Sequence, residues 1–355
     1  MTTAELRIAL IPGDGIGREV VPAAVSVLEA VGRRSGISFR WDEYDWSCAR
    51  YRRTGQMMPD DGVERVRPAD AIFLGAVGDP AVPDHVSLWG LLLPLRRGFQ
   101  QYANVRPVRL LPGVTSPLAG RTPKDIDFVI VRENNEGEYS RIGGRVYDGT
   151  DEEMCIQESV FTRRGVDRII EYAFRLAEVR PRRHLTSATK SNGILHTMPY
   201  WDERFAEAAA RHSTVRTARF HIDILAAHFV QHPDWFDVVV GSNLFGDILS
   251  DLGAAVAGSI GIAPSGNINP ERTAPSMFEP VHGSAPDIAG QGIANPIAQV
   301  WSGAMMLEHL GHPDEARAME RAIEMVVAEP RLRTRDLGGR ASTREVTEAL
   351  VAALS

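Results

Sequence analysis

The sequence predicts an α/β protein with a mainly parallel sheet, and three features carry that prediction. Four short apolar runs have the length of buried strands, five longer stretches repeat apolar residues at helical spacing, and the two kinds alternate along the chain. Residues 7–11 (RIALI) read as the first buried strand, the glycine-rich IPGDGIG of 11–17 as the turn after it, and 19–33 as an amphipathic helix. Residues 71–74 (AIFL) and 128–131 (FVIV) are further strands, and 163–178, 198–211 and 222–230 are helices. A last strand at 236–240 (FDVVV) precedes a last helix at 244–257.

Two stretches rich in Pro and Gly, 106–124 and 262–280, read as crossings between domains. Two crossings make one domain discontinuous, with residues 1–105 and 260–355 folding together around a central 106–259. Residues 137–158 carry little helix signal and read as an extended arm.

A chain of 355 residues has room for one large domain or two medium ones. Its 39 basic and 46 acidic residues leave a net charge of −7 with no run of Lys and Arg, which argues against a nucleic-acid partner. Cys48 and Cys155 stand far apart without CxxC spacing, so they predict a reducing compartment and no zinc site. The first residues show no secretory pattern, and nothing approaches the ~20 apolar residues of a membrane span. A cytoplasmic protein is expected.

Gly13, Gly15 and Gly17 could cradle a dinucleotide phosphate, but their spacing is GxGxG and Arg18 stands where a third close-packing glycine would help. A tight strand-to-helix turn is the better reading. Arg96, Arg106 and Arg132 are permanently charged forks that suit a dicarboxylate if they converge; taken singly, each is more often solvated or ion-paired. Arg106 and Arg132 lie beside apolar residues at the edges of strands, which favours convergence. Tyr139, in RENNEGEY, is a candidate proton donor or a packing residue.

In LFGDILSDL, Asp247 and Asp251 stand four apart, so a helix stacks them on one face among apolar neighbours. Two such carboxylates repel unless a cation lies between them, and hard oxygen ligands favour Mg2+ or Mn2+ over a merely solvated face. Asp223, in the apolar run HIDILAAHFV, is either a helix cap or a third carboxylate for that metal. Lys190, in SATKSNG with Asn192 just beyond, would be pressed towards a proton-accepting form by like charges near a metal and arginines.

These residues, with the motifs ANVRP, VREN, SATKSN, SNLFGDILSDL and FEPVHGSAPDIAGQGIANP in that order, resemble the β-decarboxylating dehydrogenases. That family holds the isocitrate, isopropylmalate and tartrate/D-malate dehydrogenases. The resemblance implies an isopropylmalate dehydrogenase-like fold, two α/β domains with a cleft between them and an extended dimer arm. It implies that Arg96, Arg106 and Arg132 bind substrate carboxylates, Tyr139 donates a proton and Lys190 is the general base. It makes Asp247 and Asp251 metal ligands, with Asp223 given by the partner subunit, so that a homodimer shares each site and dimers could pair further into a tetramer. It moves the cofactor from the N-terminal glycines to residues 279–295, with His282, Gly283, Ser284, Ala285 and Asn295 around the adenosine half. Asp287, followed by Ile288, would accept bonds from ribose hydroxyls and repel a 2′-phosphate, which selects NAD. The resemblance also allows for a monovalent cation such as K+.

The segment 86–97 (VSLWGLLLPLRR) differs among members of the family. Trp89 stands where isopropylmalate enzymes place an acid, and its bulk fills space that a large substituent needs. With residues 45–62 and 159–169 it resembles the tartrate/D-malate branch, which implies oxidation of a small 2-hydroxy diacid such as D-malate to pyruvate and carbon dioxide, or oxidation of tartrate. Isopropylmalate is the rival substrate because Leu92 and Leu93 remain, and a non-catalytic regulatory subunit is the alternative from another class. One departure is Asn135, where that branch usually carries threonine.

Overall fold

The computed structural model describes residues 4–354. Its strands are β1 (Ala4–Gly13), β2 (Ile37–Glu43), β3 (Ala71–Ala76), β4 (Ala103–Arg109), β5 (Asp127–Glu133), β6 (Gly143–Val146), β7 (Met154–Gln157), β8 (His184–Thr189), β9 (Arg216–His221), β10 (Val238–Gly241), β11 (Pro264–Ile268) and β12 (Ser276–Pro280). Ten of them form one sheet in the order β2-β1-β3-β12-β11-β4-β5-β10-β8-β9. Two parallel blocks, β2-β1-β3-β12 and β5-β10-β8-β9, are joined through the antiparallel strands β11 and β4. Among the described residues no helix is long and apolar enough to cross a membrane.

The strands read as continuous apolar runs because both faces of the sheet are covered. In β1, Ile8 and Leu10 join a cluster with Val27, Leu28 and Trp301, whereas Ala9 and Ile11 meet Trp46, Leu91 and Phe99. Strand β3 divides in the same way, with Phe73 on the first side and Ile72 and Leu74 on the second. In the other block, Val238 and Val240 face Phe174 and Trp201, while Val239 meets Phe229 and Leu249. The helices expected at 19–33, 163–178, 198–211, 222–230 and 244–257 appear as Gly17–Ser35, Arg163–Val179, Thr197–Arg211, Ile222–Gln231 and Asn243–Val256.

The two stretches expected as crossings contain strands of the sheet. Residues 264–268 and 276–280 are strands inside the sheet, and the first residues of 106–124 complete β4. The prolines of these strands sit where a missing N–H does little harm. Pro264 opens β11 and Pro280 closes β12, and Pro107 lies beyond the three residues of β4 that pair with β11. The segment expected as an arm contains an antiparallel hairpin, β6 with β7, every residue of which is exposed.

The glycine-rich turn is structural, as its spacing indicated. Gly13 (φ 74°) and Gly15 (φ 52°) adopt left-handed backbone, and a Cβ at Gly15 would overlap the Ser284 carbonyl. That carbonyl accepts the N–H of Ile16 at 2.8 Å, so the turn is clamped against residues 282–285. Asp14 is buried and supports the start of the short helix Cys48–Thr54, accepting the N–H of Cys48 at 2.8 Å and of Ala49 at 3.2 Å. Replacing Gly15 by Ala should cost roughly 1–3 kcal/mol for the clash beyond the roughly 1–2 kcal/mol of left-handed backbone. Gly120→Ala supplies the control, since Gly120 is also left-handed (φ 73°) but has nothing within 4 Å of its missing Cβ. Urea unfolding of both variants checks this; equal losses would contradict the clamp.

Candidate active site

The site is organised by the first turns of the helix Asn243–Val256. Ser242 caps that helix, its hydroxyl accepting the N–H of Phe245 at 3.4 Å. Glu138 supports the same end: its carboxylate accepts the Ser242 hydroxyl at 2.7 Å and the N–H of Leu244 at 3.0 Å. Donors that a helix start leaves unpaired are thereby satisfied, and a negative charge meets the positive end of the helix. Asn243, Asp247, Ser250 and Asp251 then fall on one helical face. Across from them, β4 and β5 pair Arg106 with Ile130 and Asn104 with Arg132, placing both arginines diagonally on one face of the sheet. The helix lies against β5 because Gly246 has no side chain; a Cβ there would sit 2.5 Å from that of Arg132.

Asp247 is the shared partner of this cluster. One of its oxygens is bonded by Arg132 and lies 3.4 Å from Nη1 of Arg106, and the other accepts the Tyr139 hydroxyl at 2.8 Å. Arg132 also holds Asn243 Oδ1 at 2.7 and 3.1 Å, and its guanidinium lies 5.5 Å from the centroid of the Tyr139 ring. Arg106 donates to Ser250 at 2.6 Å and reaches Asp251 at 3.8 Å. Arg96 pairs with Glu279 at 2.8 Å. The three arginines are only 5%, 7% and 2% exposed (Arg96, Arg106, Arg132), and Nε of Arg96 and of Arg106 is buried without a hydrogen-bond partner among the described residues. Buried, under-used donors of this kind fit an anion.

The charges bias one another. Burial works against ionisation of Asp247, but Arg132 and Arg106 outweigh it and hold the carboxyl below its ordinary range. Burial pushes Asp251 up, against Arg106 and with the help of Asp247. Burial and then the Asp247 charge raise the Tyr139 hydroxyl, which keeps its proton. Burial and then Arg106 lower the Arg132 guanidinium. Two neighbouring carboxylates on one helical face, one of them pushed up mainly by burial, are the setting that a divalent cation relieves, and their hard oxygen donors fit Mg2+ or Mn2+.

Lys190 and Asp223 form a second group. They pair with each other at 2.9 Å, and neither is ion-paired to the cluster around Asp247 among the described residues. The bond from Lys190 holds the Asp223 carboxyl below its usual value. Asp223 is the second residue of the helix Ile222–Gln231, and Asn192 is exposed just past Lys190. No three His, Cys, Asp or Glu residues among those described converge as a metal-holding group. The like-charge surroundings expected for Lys190 are therefore not assembled within one chain. Leu92 is half-buried against the core that contains Trp46 and Leu95.

Residues 281–295 form a loop on the glycine turn. His282 is buried, which lowers its pKa; its Nδ1 lies 3.0 Å from the Gly283 carbonyl and Nε2 has no partner among the described residues. A neutral ring donating from Nδ1 leaves Nε2 as an acceptor for a ligand. Ser284 is buried, Ala285 takes left-handed backbone (φ 41°), and Gly283 and Asp287 are exposed. Ile288 packs with Ile16, Val20 and Ala294. The Asn295 amide is already engaged: it donates to Asp336 at 3.0 Å and accepts the N–H of Ile297 at 3.0 Å, starting the helix Ile297–His309.

Several residues that build the site escaped the sequence reading. Asn243 and Ser250 share the face of Asp247 and Asp251, so helical spacing could have found them. Glu138 and Glu279 act on partners more than a hundred residues away, which no local pattern reveals.

Fold and site together define a class, and the comparisons agree with it. The model of the isocitrate/isopropylmalate dehydrogenase family matches residues 7–350, and the chain belongs to that family. It is similar to the D-malate dehydrogenase (decarboxylating) of Escherichia coli (strain K12), with 59% identity over 352 residues and 97% of each chain covered. It is also similar to the tartrate dehydrogenase/decarboxylase of Pseudomonas putida, 58% identical over 99% of this chain and 98% of that one. Among solved structures, isocitrate dehydrogenase from Methylococcus capsulatus superposes with a TM-score of 0.88 at 37% identity, covering 98% of this chain and 99% of that one.

One titration follows from the segment between Arg132 and Tyr139. Glu133 is 2% exposed and accepts the N–H of Glu136 at 2.6 Å and of Asn135 at 3.0 Å, yet burial prevails and pushes it up to about 7. A carboxyl raised when folded stabilises fully below its unfolded value of 4.5 and loses that contribution as pH rises through about 7. Glu133→Gln should therefore gain on the wild type between pH 4.5 and 7, by up to about 3 kcal/mol. Denaturant midpoints of both proteins across that range check it, and a constant difference would contradict it.

Proposed function

We propose that this chain oxidises and decarboxylates a small 2-hydroxy diacid with NAD, converting D-malate to pyruvate and carbon dioxide and acting also on tartrate. The observation that carries the reading is the convergence of Arg106, Arg132 and Tyr139 on the Asp247 carboxylate, an anion pocket beside a pair of hard oxygen ligands. The activities of the similar D-malate and tartrate dehydrogenases support the substrate class. Trp89 supports a small substituent on carbon 3, and Leu92 packs into the core, which disfavours isopropylmalate.

In this reading Arg96, Arg106 and Arg132 hold the substrate carboxylates and align the carboxylate that leaves. Asp247 and Asp251, with Asp223 from a second copy, hold Mg2+ or Mn2+; residues 279–295, Asn295 included, hold NAD, with Nε2 of His282 accepting a bond and Asp287 excluding a 2′-phosphate. When bound, the metal supplies Lewis-acid polarisation of the 2-hydroxyl and NAD takes up the hydride. Lys190 accepts the hydroxyl proton, assisted by Asn192 beside the substrate. After carbon dioxide departs, Tyr139, which keeps its proton in this setting, hands it to carbon 3 of the enol.

A homodimer fits the two separate groups of reactive residues. Ile142, Val146, Met154 and Ile156 on the hairpin are exposed, as are Ile224 and Ile248 beside Asp223 and Asp247. Apolar patches so placed favour a second copy that brings Lys190 and Asp223 to the Asp247 cluster.

The test is NADH formation with Mn2+ and a panel of D-malate, L-tartrate, isopropylmalate and isocitrate. D-malate should give one NADH per carbon dioxide, and Asp247→Asn should lose at least about a hundredfold in kcat/KM. A clear preference for isopropylmalate would overturn the substrate reading, and full activity of the Asn variant without metal would overturn the mechanism.

A further inference from the structure

One contact between residues 88–98 and the Tyr139 segment serves none of the roles above. Trp89 is half-buried in the wide helical turn Leu88–Leu92, and two guanidiniums lie over its indole. Arg97 is 4.9 Å from the ring centroid and Arg141 is 4.5 Å from it. Arg97 also donates to the Tyr139 carbonyl at 2.5 Å. A chain of contacts thus runs from the indole through Arg97 to Tyr139, whose hydroxyl rests on Asp247.

The two cations gather on this ring against their own repulsion. Burial and then the Arg141 charge hold the Arg97 guanidinium below its ordinary value. Neither arginine has an ion pair among the described residues, and the exposed Arg141 has no hydrogen bond there either. The face of the indole attracts both, because its quadrupole presents negative charge to a cation, and the Glu133 carboxylate adds a pull on Arg97. A ring held by one cation from its own helical stretch and another from the segment just past Tyr139 cannot turn without losing both contacts.

We propose that Arg97 and Arg141 are positioning residues that fix the Trp89 indole as a rigid wall at the carbon-3 end of the substrate and so set the size limit there. Hydrogen or hydroxyl enters; a branched alkyl group does not. The link from Arg97 to Tyr139 makes the limit stricter, since a substituent large enough to move the indole also disturbs the proton donor. This inference rests on the reading of Trp89 as a pocket wall, and the experiment separates the two.

Steady-state kinetics with D-malate, 3-methylmalate and 3-isopropylmalate would be measured on the full-length wild type and on Arg141→Met, Arg141→Lys, Arg97→Lys and Trp89→Ala, with Tm recorded for each. Arg141→Met keeps the bulk and removes the charge at an exposed position, so Tm should hold. The ratio of kcat/KM for isopropylmalate to that for D-malate should rise about tenfold, the scale on which pocket shape discriminates. Arg141→Lys should restore most of the wild-type ratio, Arg97→Lys should raise it and lower kcat, and Trp89→Ala should raise it most. A merely structural role would change Tm and leave the ratio alone. If Trp89→Ala opens the pocket but Arg141→Met keeps the wild-type ratio, the positioning role is overturned and the pocket reading stands. If Trp89→Ala itself leaves the ratio unchanged, the pocket reading fails and the inference with it.

Discussion

Everything at the site depends on how one carboxylate, Asp247, keeps buried guanidiniums in place. Arg132 and Arg106 both turn towards it, and the Tyr139 hydroxyl occupies its other oxygen. The guanidiniums are buried while the Asp247 side chain is 34% exposed, so removing the acid costs less than the roughly 3–5 kcal/mol of a fully buried pair and still leaves desolvated cations behind. Without ligands, then, the arginines hold the acid and the acid holds the arginines. A diacid and a divalent cation would divide that pairing between them, each satisfying one half. Binding in this scheme exchanges partners and creates no new buried charge.

The scaffold serves that exchange by fixing distances. Glu138 joins the base of the hairpin segment to the start of the Asp247 helix, so Tyr139 and Asp247 are set by the same first turn. Gly246 lets that helix approach β5, where Arg132 sits. On the other side of the sheet's antiparallel centre, Glu279 of β12 takes Arg96 and accepts a bond from Asn267 of β11 at 2.7 Å. The strand that carries Glu279 continues into the loop expected to bind NAD. The pairing of Arg96 with Glu279 therefore joins the substrate arginines to the proposed cofactor side through buried polar contacts.

Elements whose signal is local were legible in the residues. Apolar runs such as 71–74 and 128–131 became strands covered on both faces, and the five helical stretches appeared within about two residues of their expected ends. The strands within 262–280 were not legible because Pro264 and Pro280 mark their ends, and a strand end carries no local signal when register is unknown. Asp247 and Asp251 were visible as a helical pair, and the arginines became a cluster only when β4 and β5 set their register. Asn295, expected at the adenosine half, also ties its amide to Asp336 and to the start of the helix Ile297–His309. Asp223 was expected from the partner subunit by resemblance, and in one chain it pairs with Lys190 apart from the Asp247 cluster.

That separation makes the central claim testable, namely that each site draws the Asp247 cluster from one copy and Lys190 with Asp223 from another. Tyr139→Phe and Lys190→Met should each be inactive alone. Mixed and refolded together, they should form heterodimers with one intact site, recovering about a quarter of wild-type activity at equal amounts. Recovery near that level would support a site shared between copies. No recovery, with heterodimers demonstrably formed, would contradict it.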